Sequence, residues 1–187
     1  MNIWKTRSTK VIDKNPWWHY KMDEFEIPGV TTGKYYYCET PGSACVIPID
    51  SEGKILCVKQ YRYLAERTSI EFPGGGIKAD QTIEDAVRAE LAEEAGVAAD
   101  QLQFIATIYP FPGLVKEAQY IYLATGLREV SGAHQDETEE FELLRATPND
   151  IEQFIATGEM TDGWALGAWA VVRPHVLRFI DENQSSK

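Results

Sequence analysis

The clearest helical pattern in the chain lies between residues 82 and 96. Apolar residues recur there at the spacing of one helix face, at Ile83, Ala86, Val87, Leu91 and Ala95. Thr82 precedes the pattern as an N-cap, and Asp85 stands where it would close a capping box. Gly96 follows the pattern, and glycine commonly ends a helix at this position. The pattern therefore predicts an amphipathic helix between Thr82 and Gly96.

Apolar runs with strand-like composition lie on both sides of this helix. They cover residues 18–27, 34–40, 44–49 and 54–61 before it, and 102–109, 118–124 and 141–145 after it. Thr147 then caps a short helix that starts with Pro148 and ends near Gly158. Asp162 opens a last helix, which we expect to be bent or broken near Pro174. This order is typical of an α+β domain with helices packed on a mixed sheet.

The last helix is also expected to contribute a core face. The residues predicted for that face are Trp164, Ala168, Val171, Val172 and Leu177.

The first 41 residues are unusually rich in aromatic side chains and predict an antiparallel hairpin around a turn at 28–33. We treat residues 1–41 as an N-terminal β element and 42–187 as the main domain. A two-stranded hairpin is only marginally stable alone, so its aromatic face packs on its own domain or on a second copy of the chain. We favour the second alternative, a homodimer.

Composition narrows the choice of partners and location. The chain has 187 residues, 44% of them hydrophobic, and a net charge of −11 without a basic tract. This balance argues against nucleic acids and anionic membranes as partners. Its three unpatterned cysteines, and an N-terminus without an apolar run, predict a reduced cytoplasmic protein without a signal peptide or membrane span.

The first helix carries a cluster of acids. Glu90, Glu93 and Glu94 stand at i, i+3 and i+4, which is either a solvated acidic face or a cation site. Acids near a helix C-terminus oppose the helix dipole, and a glycine run, 74–76, lies shortly upstream. These two features favour a site for Mg²⁺, with Mn²⁺ as a possible substitute.

Residues 71–97 resemble the signature of the Nudix hydrolases, G-x5-E-x7-R-E-U-x-E-E-x-G-U, in which U is aliphatic. The matching residues are Gly75, Glu90, Leu91, Glu93, Glu94, Gly96 and Val97. Gln81 stands where the family has glutamate, and Ala89 where it has arginine. Arg88 is better placed to pair with Glu84 than to replace that arginine, because one residue rotates a side chain by about 100°.

Further residues resemble the ADP-ribose pyrophosphatase branch of the family. They are the run 60–62 (QYR), Glu71 in EFPGG, and Pro112-Gly113 followed by Glu117. Each has an ordinary alternative: a surface salt bridge for Arg62, an edge-strand charge for Glu71, and a common turn for Pro112. The acidic segment 132–142 resembles a loop of that branch at Glu137 and Glu139, or is simply a solvated loop.

The resemblance implies an α/β/α sandwich over residues 18–180 and a Mg²⁺-dependent hydrolase of nucleoside diphosphates linked to another group. ADP-ribose is the first expected substrate and a nucleoside diphosphate sugar the second. The implied metal ligands are Gly74, Glu90 and Glu94; the implied catalytic residues are Glu93, Glu137 and Glu139; the implied substrate-binding residues are Arg62, Glu71, Pro112 and Glu117. The departures at 81 and 89 keep open a sensor module that binds nucleotides with little or no turnover.

Overall fold

The structure, a computed structural model, describes residues 3–130 and 141–184. The strands are β1 Lys5–Lys14, β2 His19–Ile27, β3 Thr31–Glu39, β4 Ser43–Pro48, β5 Ile55–Arg62, β6 Arg67–Glu71, β7 Gly74–Gly76, β8 Val97–Ile108, β9 Val115–Lys116, β10 Gln119–Glu129 and β11 Phe141–Ala146. The helices are α1 Ile83–Ala95, α2 Pro148–Thr157 and α3 Gly163–Gln184.

A mixed sheet in the order β7-β4-β10-β8 lies at the centre of the molecule. Its strand β10 runs parallel to β4 and antiparallel to β8. Because side chains alternate along a strand, Cys45 and Ile121 pack with Trp169 of α3, whereas Ala44 and Tyr122 belong to the cluster around α1. Helices therefore cover both faces of the sheet. The predicted α+β class and α/β/α layering are confirmed.

The predicted boundaries of α1 are confirmed, and local chemistry explains them. The hydroxyl of Thr82 accepts a hydrogen bond from the backbone N–H of Asp85 at 3.1 Å, and Gly96 ends the helix with a φ of 65°. The Asp85 carboxylate accepts the Thr82 hydroxyl at 2.6 Å. The full reciprocal capping box forms at α2 instead, where Thr147 and Asp150 exchange both bonds.

The N-terminal sheet, in the order β1-β2-β3-β9, is larger than the sequence predicts. The expected hairpin is confirmed as β2 paired antiparallel with β3. Strand β1 was not predicted: its ten residues are all exposed and show no apolar alternation. Strand β9 pairs with β3 from within the predicted main domain. The division at residue 41 therefore stays a prediction.

The helix α3 is not broken near Pro174 but continues through it, so of the two expected outcomes, a bend or a break, the break is wrong and the bend stays a prediction. Both Pro174 and Ala170, whose carbonyl the proline leaves without its usual N–H partner, are exposed, so water can satisfy that carbonyl.

The predicted core face is confirmed for the buried Ala168 and Val172, and Val171 packs against the same core cluster. Trp164 and Leu177 are only partly buried. The other buried residues of α3 are Ala165, Trp169 and Val176.

The three cysteines are free thiols: Cys45 and Cys57 are buried and Cys38 is partly so. Among the described residues, no helix is long and apolar enough to cross a membrane. Cytoplasmic location itself stays a prediction.

Strand β7 approaches β4 so closely that Gly74 has no room for a side chain. A Cβ at Gly74 would lie 2.5 Å from the carbonyl oxygen of Ala44 and 3.0 Å from the Cα of Cys45, whereas one at Gly76 would meet nothing within 4 Å. We expect Gly74→Ala to lower the free energy of unfolding by about 1–3 kcal/mol, because backbone atoms must move. Urea denaturation measures this.

Gly76→Ala is the matched control, since it makes the same change in the same strand. We expect its free energy of unfolding to be unchanged or slightly raised. Equal losses in the two variants would contradict the close approach at Gly74.

Candidate active site

The glycine strand and the last turn of α1 are joined by a hydrogen bond. The backbone N–H of Gly74 donates to Oε2 of Glu94 at 2.9 Å, and Glu94 is only 8% exposed. A charged acceptor strengthens such a bond and fixes the rotamer of the side chain. The structure thus positions Glu94 between the helix and the strand, as the glycine run and the acidic cluster predict.

Glu90 lies one turn earlier and contacts the same strand. A Cβ added to Gly75 would overlap the Glu90 carboxylate, so this contact exists only because residue 75 is glycine. Glu93, by contrast, is exposed. The structure therefore brings Glu90 and Glu94 against the glycine strand and leaves Glu93 exposed to solvent.

All the donor atoms that these residues can offer to a cation are oxygens. In the described part of the chain, no three His, Cys, Asp or Glu side chains converge as a ready-made metal cage. Mg²⁺ does not need one: it commonly takes one or two carboxylates and completes its shell with waters and substrate phosphates. Glu90, Glu94 and the Gly74 carbonyl fit that ligand set.

Arg62 and Glu71 form a charge pair beside this strand, in which Glu71 is buried and Arg62 is partly exposed. Nε of Arg62 lies 2.9 Å from Oε1 of Glu71, Nη2 lies 2.5 Å from Oε2, and Gln60 adds a longer bond of 3.4 Å. Glu71 is 3% exposed and Arg62 42%. The bonds to Glu71 raise the pKa of the Arg62 guanidinium, and the charges of Asp162 and Glu94 raise it further. Because its side chain is the more exposed of the two, Arg62 is the one that a substrate can contact.

Pro112 and Glu117 lie together in a separate cavity of about 580 Å³, which residues of β1, β2 and β3 also line. Tyr35, Tyr37 and Tyr109 also line it, and the Tyr35 hydroxyl donates to the carbonyl of Gly113 at 2.8 Å. Burial raises the pKa of the Glu117 carboxyl, against the lowering effect of nearby hydroxyls. Aromatic walls with a carboxylate suit a flat, polar ring.

Gln81, one of the two departures from the signature, and Arg88, the neighbour of the other departure Ala89, both make local hydrogen bonds. Oε1 of Gln81 accepts the backbone N–H of Lys78 at 3.2 Å and so closes the loop before α1. The expected pairing of Arg88 with Glu84 is wrong, because Nη1 of Arg88 donates to the carbonyl of Ala99 in β8, at 3.4 Å. That bond directs Arg88 to β8, and position 89 carries only a methyl group.

Glu137 and Glu139 lie outside the described residues, and their roles stay predictions. Gln119, which the sequence analysis missed, is fully buried at the start of β10. Neither Nε2 nor Oε1 of Gln119 has a hydrogen-bond partner within the described ranges. Leaving a buried amide in this state costs about 1–3 kcal/mol. In the sequence, the feature that could have pointed to Gln119 is a polar residue at the first of three alternating positions, of which the other two are Ile121 and Leu123.

Comparison with known families identifies this arrangement. A family model described as NUDIX domain matches residues 39–161, about two thirds of the chain. The chain belongs to the Nudix family. The matched range contains the glycine strand, α1 and both members of the Arg62–Glu71 pair.

Curated relatives of this Nudix protein align over most of their length. The ADP-ribose pyrophosphatase of Bacillus subtilis (strain 168) is 31% identical over 156 residues, 83% of this chain and 81% of that protein. The methanol dehydrogenase activator of Bacillus methanolicus is 30% identical over 143 residues, 76% of this chain and 77% of that one. The resemblance to the ADP-ribose pyrophosphatase-like branch is confirmed, and the protein is a Nudix hydrolase.

A solved structure supports the fold of this Nudix hydrolase. The crystal structure of an ADP compounds hydrolase superposes with a TM-score of 0.80, at 18% identity, over 92% of this chain and 94% of that one. Most of this chain therefore shares its fold with that solved structure.

We expect the Arg62–Glu71 pair to stabilise the fold through mutual compensation. Arg62→Met leaves the Glu71 carboxylate buried without its cation and should lower the free energy of unfolding by about 2–3 kcal/mol. This is less than for a fully buried pair, because Arg62 is 42% exposed. Urea denaturation of Arg62→Met, Glu71→Gln and the double variant measures the coupling.

The double variant should lose clearly less than the sum of the two single losses, since neither charge is then left alone. Additive losses would show that the two side chains do not depend on each other.

Proposed function

We propose that this Nudix hydrolase uses Mg²⁺ to cleave the pyrophosphate bond of a nucleoside diphosphate linked to another moiety. ADP-ribose is the leading substrate and a nucleoside diphosphate sugar the second. The observation that supports this most is the hydrogen bond from Gly74 to Glu94, with Glu90 against Gly75 beside it. This arrangement holds carboxylate oxygens that can bind a cation beside strand β7. The name of the Bacillus subtilis relative gives the substrate class.

In this proposal, Glu90, Glu94 and the Gly74 carbonyl hold the cation, for which Mn²⁺ can substitute. When bound, the cation neutralises diphosphate charge and acidifies a water. Glu93, Glu137 or Glu139 orients that water or takes its proton. Arg62, held rigid by Glu71, turns its exposed edge towards the diphosphate.

The bond changes follow from the substrate. Water forms a bond to one phosphorus, the bridging P–O bond breaks, and the leaving phosphate takes the electron pair. With ADP-ribose the products are AMP and ribose 5-phosphate.

The cavity lined by Pro112 and Glu117 is the proposed place for the base or for the linked group. Its three tyrosines offer stacking surface, and Glu117 accepts hydrogen bonds from an amino or hydroxyl group. A volume of about 580 Å³ is within the range of small-molecule sites.

The alternative function is a nucleotide or nucleotide-sugar sensor with weak or no turnover. The observation that favours it is Ala89: the family's arginine is missing there, and Arg88 beside it donates a hydrogen bond to the carbonyl of Ala99. Loss of a residue that orients metal ligands typically costs about 10–100-fold in metal affinity or activity.

A homodimer through the N-terminal sheet completes the proposal. Large apolar side chains stand exposed there, among them Trp17 (74% exposed), Tyr36, Val11 and Ile12. A stable dimer would cover them. Light scattering at micromolar concentration should give twice the chain mass of 21.1 kDa, and a single-chain mass would contradict this part.

Turnover distinguishes the two functions. We expect ADP-ribose to be cleaved with Mg²⁺ and not with EDTA, and Glu94→Gln to lower kcat/KM at least ~100-fold, because a cation ligand is lost. The assay measures phosphate released by an added phosphatase, across ADP-ribose, ADP-glucose and UDP-glucose.

Glu84→Gln, an exposed glutamate on the first turn of the same helix, is the matched control and should keep native kcat/KM. Retained nucleotide binding without cleavage of any compound would reject the hydrolase of these substrates in favour of the sensor.

A further inference from the structure

A small cavity lies where the start of β10 meets the start of α3. Its volume is about 10 Å³, and its polar lining comes from Arg62, Glu71, Gly74, Gln119 and Asp162. A polar cavity of this size accommodates a single water molecule, provided that two or more groups can hydrogen-bond to it. It therefore has room for water and not for a nucleotide.

Gln119 is the residue in this cavity that needs a ligand. Its side chain is fully buried, and both of its polar atoms are without a hydrogen-bond partner in the described part of the chain. The next residues on the same face of β10, Ile121 and Leu123, are apolar and pack with the α3 cluster. An apolar side chain in this row would avoid burying an amide, so the glutamine carries a cost that calls for a compensating contact.

The other polar groups of the cavity are already held in place. Glu71 accepts hydrogen bonds from Arg62, and Oδ1 of Asp162 accepts the backbone N–H groups of Trp164 and Ala165. A carboxylate has about four lone-pair positions, so each retains the capacity to accept one more bond. A water that accepts a hydrogen bond from Nε2 of Gln119 and donates to these two carboxylates is itself satisfied, and it supplies the partner that Nε2 lacks.

Gly74 connects this cavity to the proposed cation site. Gln119 and α3 lie on one face of the central sheet, and Glu90 and Glu94 come from α1 on the other face. Gly74 lines the cavity and also donates its N–H to Glu94. A displacement of Gly74 therefore alters Glu94 and the Gly74 carbonyl together.

We propose that Gln119 is a positioning residue that binds one water in this cavity. The hydrogen-bonded link holds Glu71, three residues before Gly74, against Asp162 at the start of α3, and through that short segment it sets the position of the cation ligands. This inference rests on the proposed function in one respect, the identity of those ligands.

The test replaces Gln119 by methionine, which has nearly the same length and no hydrogen-bonding amide. We expect Gln119→Met to bind Mn²⁺ about 10-fold more weakly, as measured by electron paramagnetic resonance without substrate. Its Tm should be equal to or higher than that of the native protein, because the buried amide is gone. Gln103→Met, the same change at an exposed position of β8, is the control and should leave both values unchanged.

Weaker Mn²⁺ binding with an undiminished Tm supports the positioning role. An unchanged Mn²⁺ affinity overturns it. A fall in both Tm and affinity also overturns it, since the glutamine then acts only as part of the core.

A crystal structure of the native protein provides a second readout that does not depend on metal or turnover. A water peak within hydrogen-bonding distance of Gln119, lost in Gln119→Met, supports the inference; an amide satisfied directly by protein atoms overturns it. If the native protein binds no Mn²⁺, the proposed function fails, and the water peak alone decides whether the link through Gln119 exists.

Discussion

The hydrogen bond between the Gly74 backbone N–H and the Glu94 carboxylate is the constraint on which the candidate site depends. It requires strand β7 to lie close to both β4 and α1. The approach to β4 excludes a side chain at Gly74, and the approach to α1 excludes one at Gly75, where the Glu90 carboxylate lies. The same close packing that leaves no room for side chains brings the backbone of Gly74 and Gly75 together with two carboxylates.

Electrostatics is in keeping with a cation at this place. Glu90 and Glu94 lie in the C-terminal half of α1, where the helix dipole disfavours negative charge, and Ala89 adds no charge of its own. Glu94 is among the charges that raise the pKa of Arg62, after Glu71 and Asp162. Arg62 comes from β5, so this interaction between a cationic side chain and an acid of the signature helix is a tertiary one.

Local features of the sequence predicted local structure well. Thr82 and Gly96 gave the bounds of α1, and Thr147 with Gly158 gave those of α2, because caps act within a few residues. Strand β1 was not predicted because both of its faces are exposed. It therefore lacks the alternation of apolar and polar residues that is typical of a half-buried strand. The continuity of α3 through Pro174 depends on which side of the helix meets solvent, and the sequence does not fix that.

The parts of the site that the sequence did not reveal come from tertiary pairing. Arg62 reaches Glu71 because β5 and β6 pair antiparallel, and Gln119 reaches the cavity because β10 lies parallel to β4. The family resemblance pointed to Arg62, Glu71 and the glutamates of α1. It did not show that Arg62 and Glu71 form a charge pair. Gln119 matches no motif, so only the fold brings it to notice.

The central claim is that the Gly74 segment and α1 together form one cation site. Anomalous diffraction from crystals grown with Mn²⁺ and a non-hydrolysable ADP-ribose analogue tests it most directly. We predict a Mn²⁺ peak contacting Glu90, Glu94 and the Gly74 carbonyl, with the diphosphate beside it. A diphosphate bound elsewhere, or Mn²⁺ away from these three residues, would contradict the account.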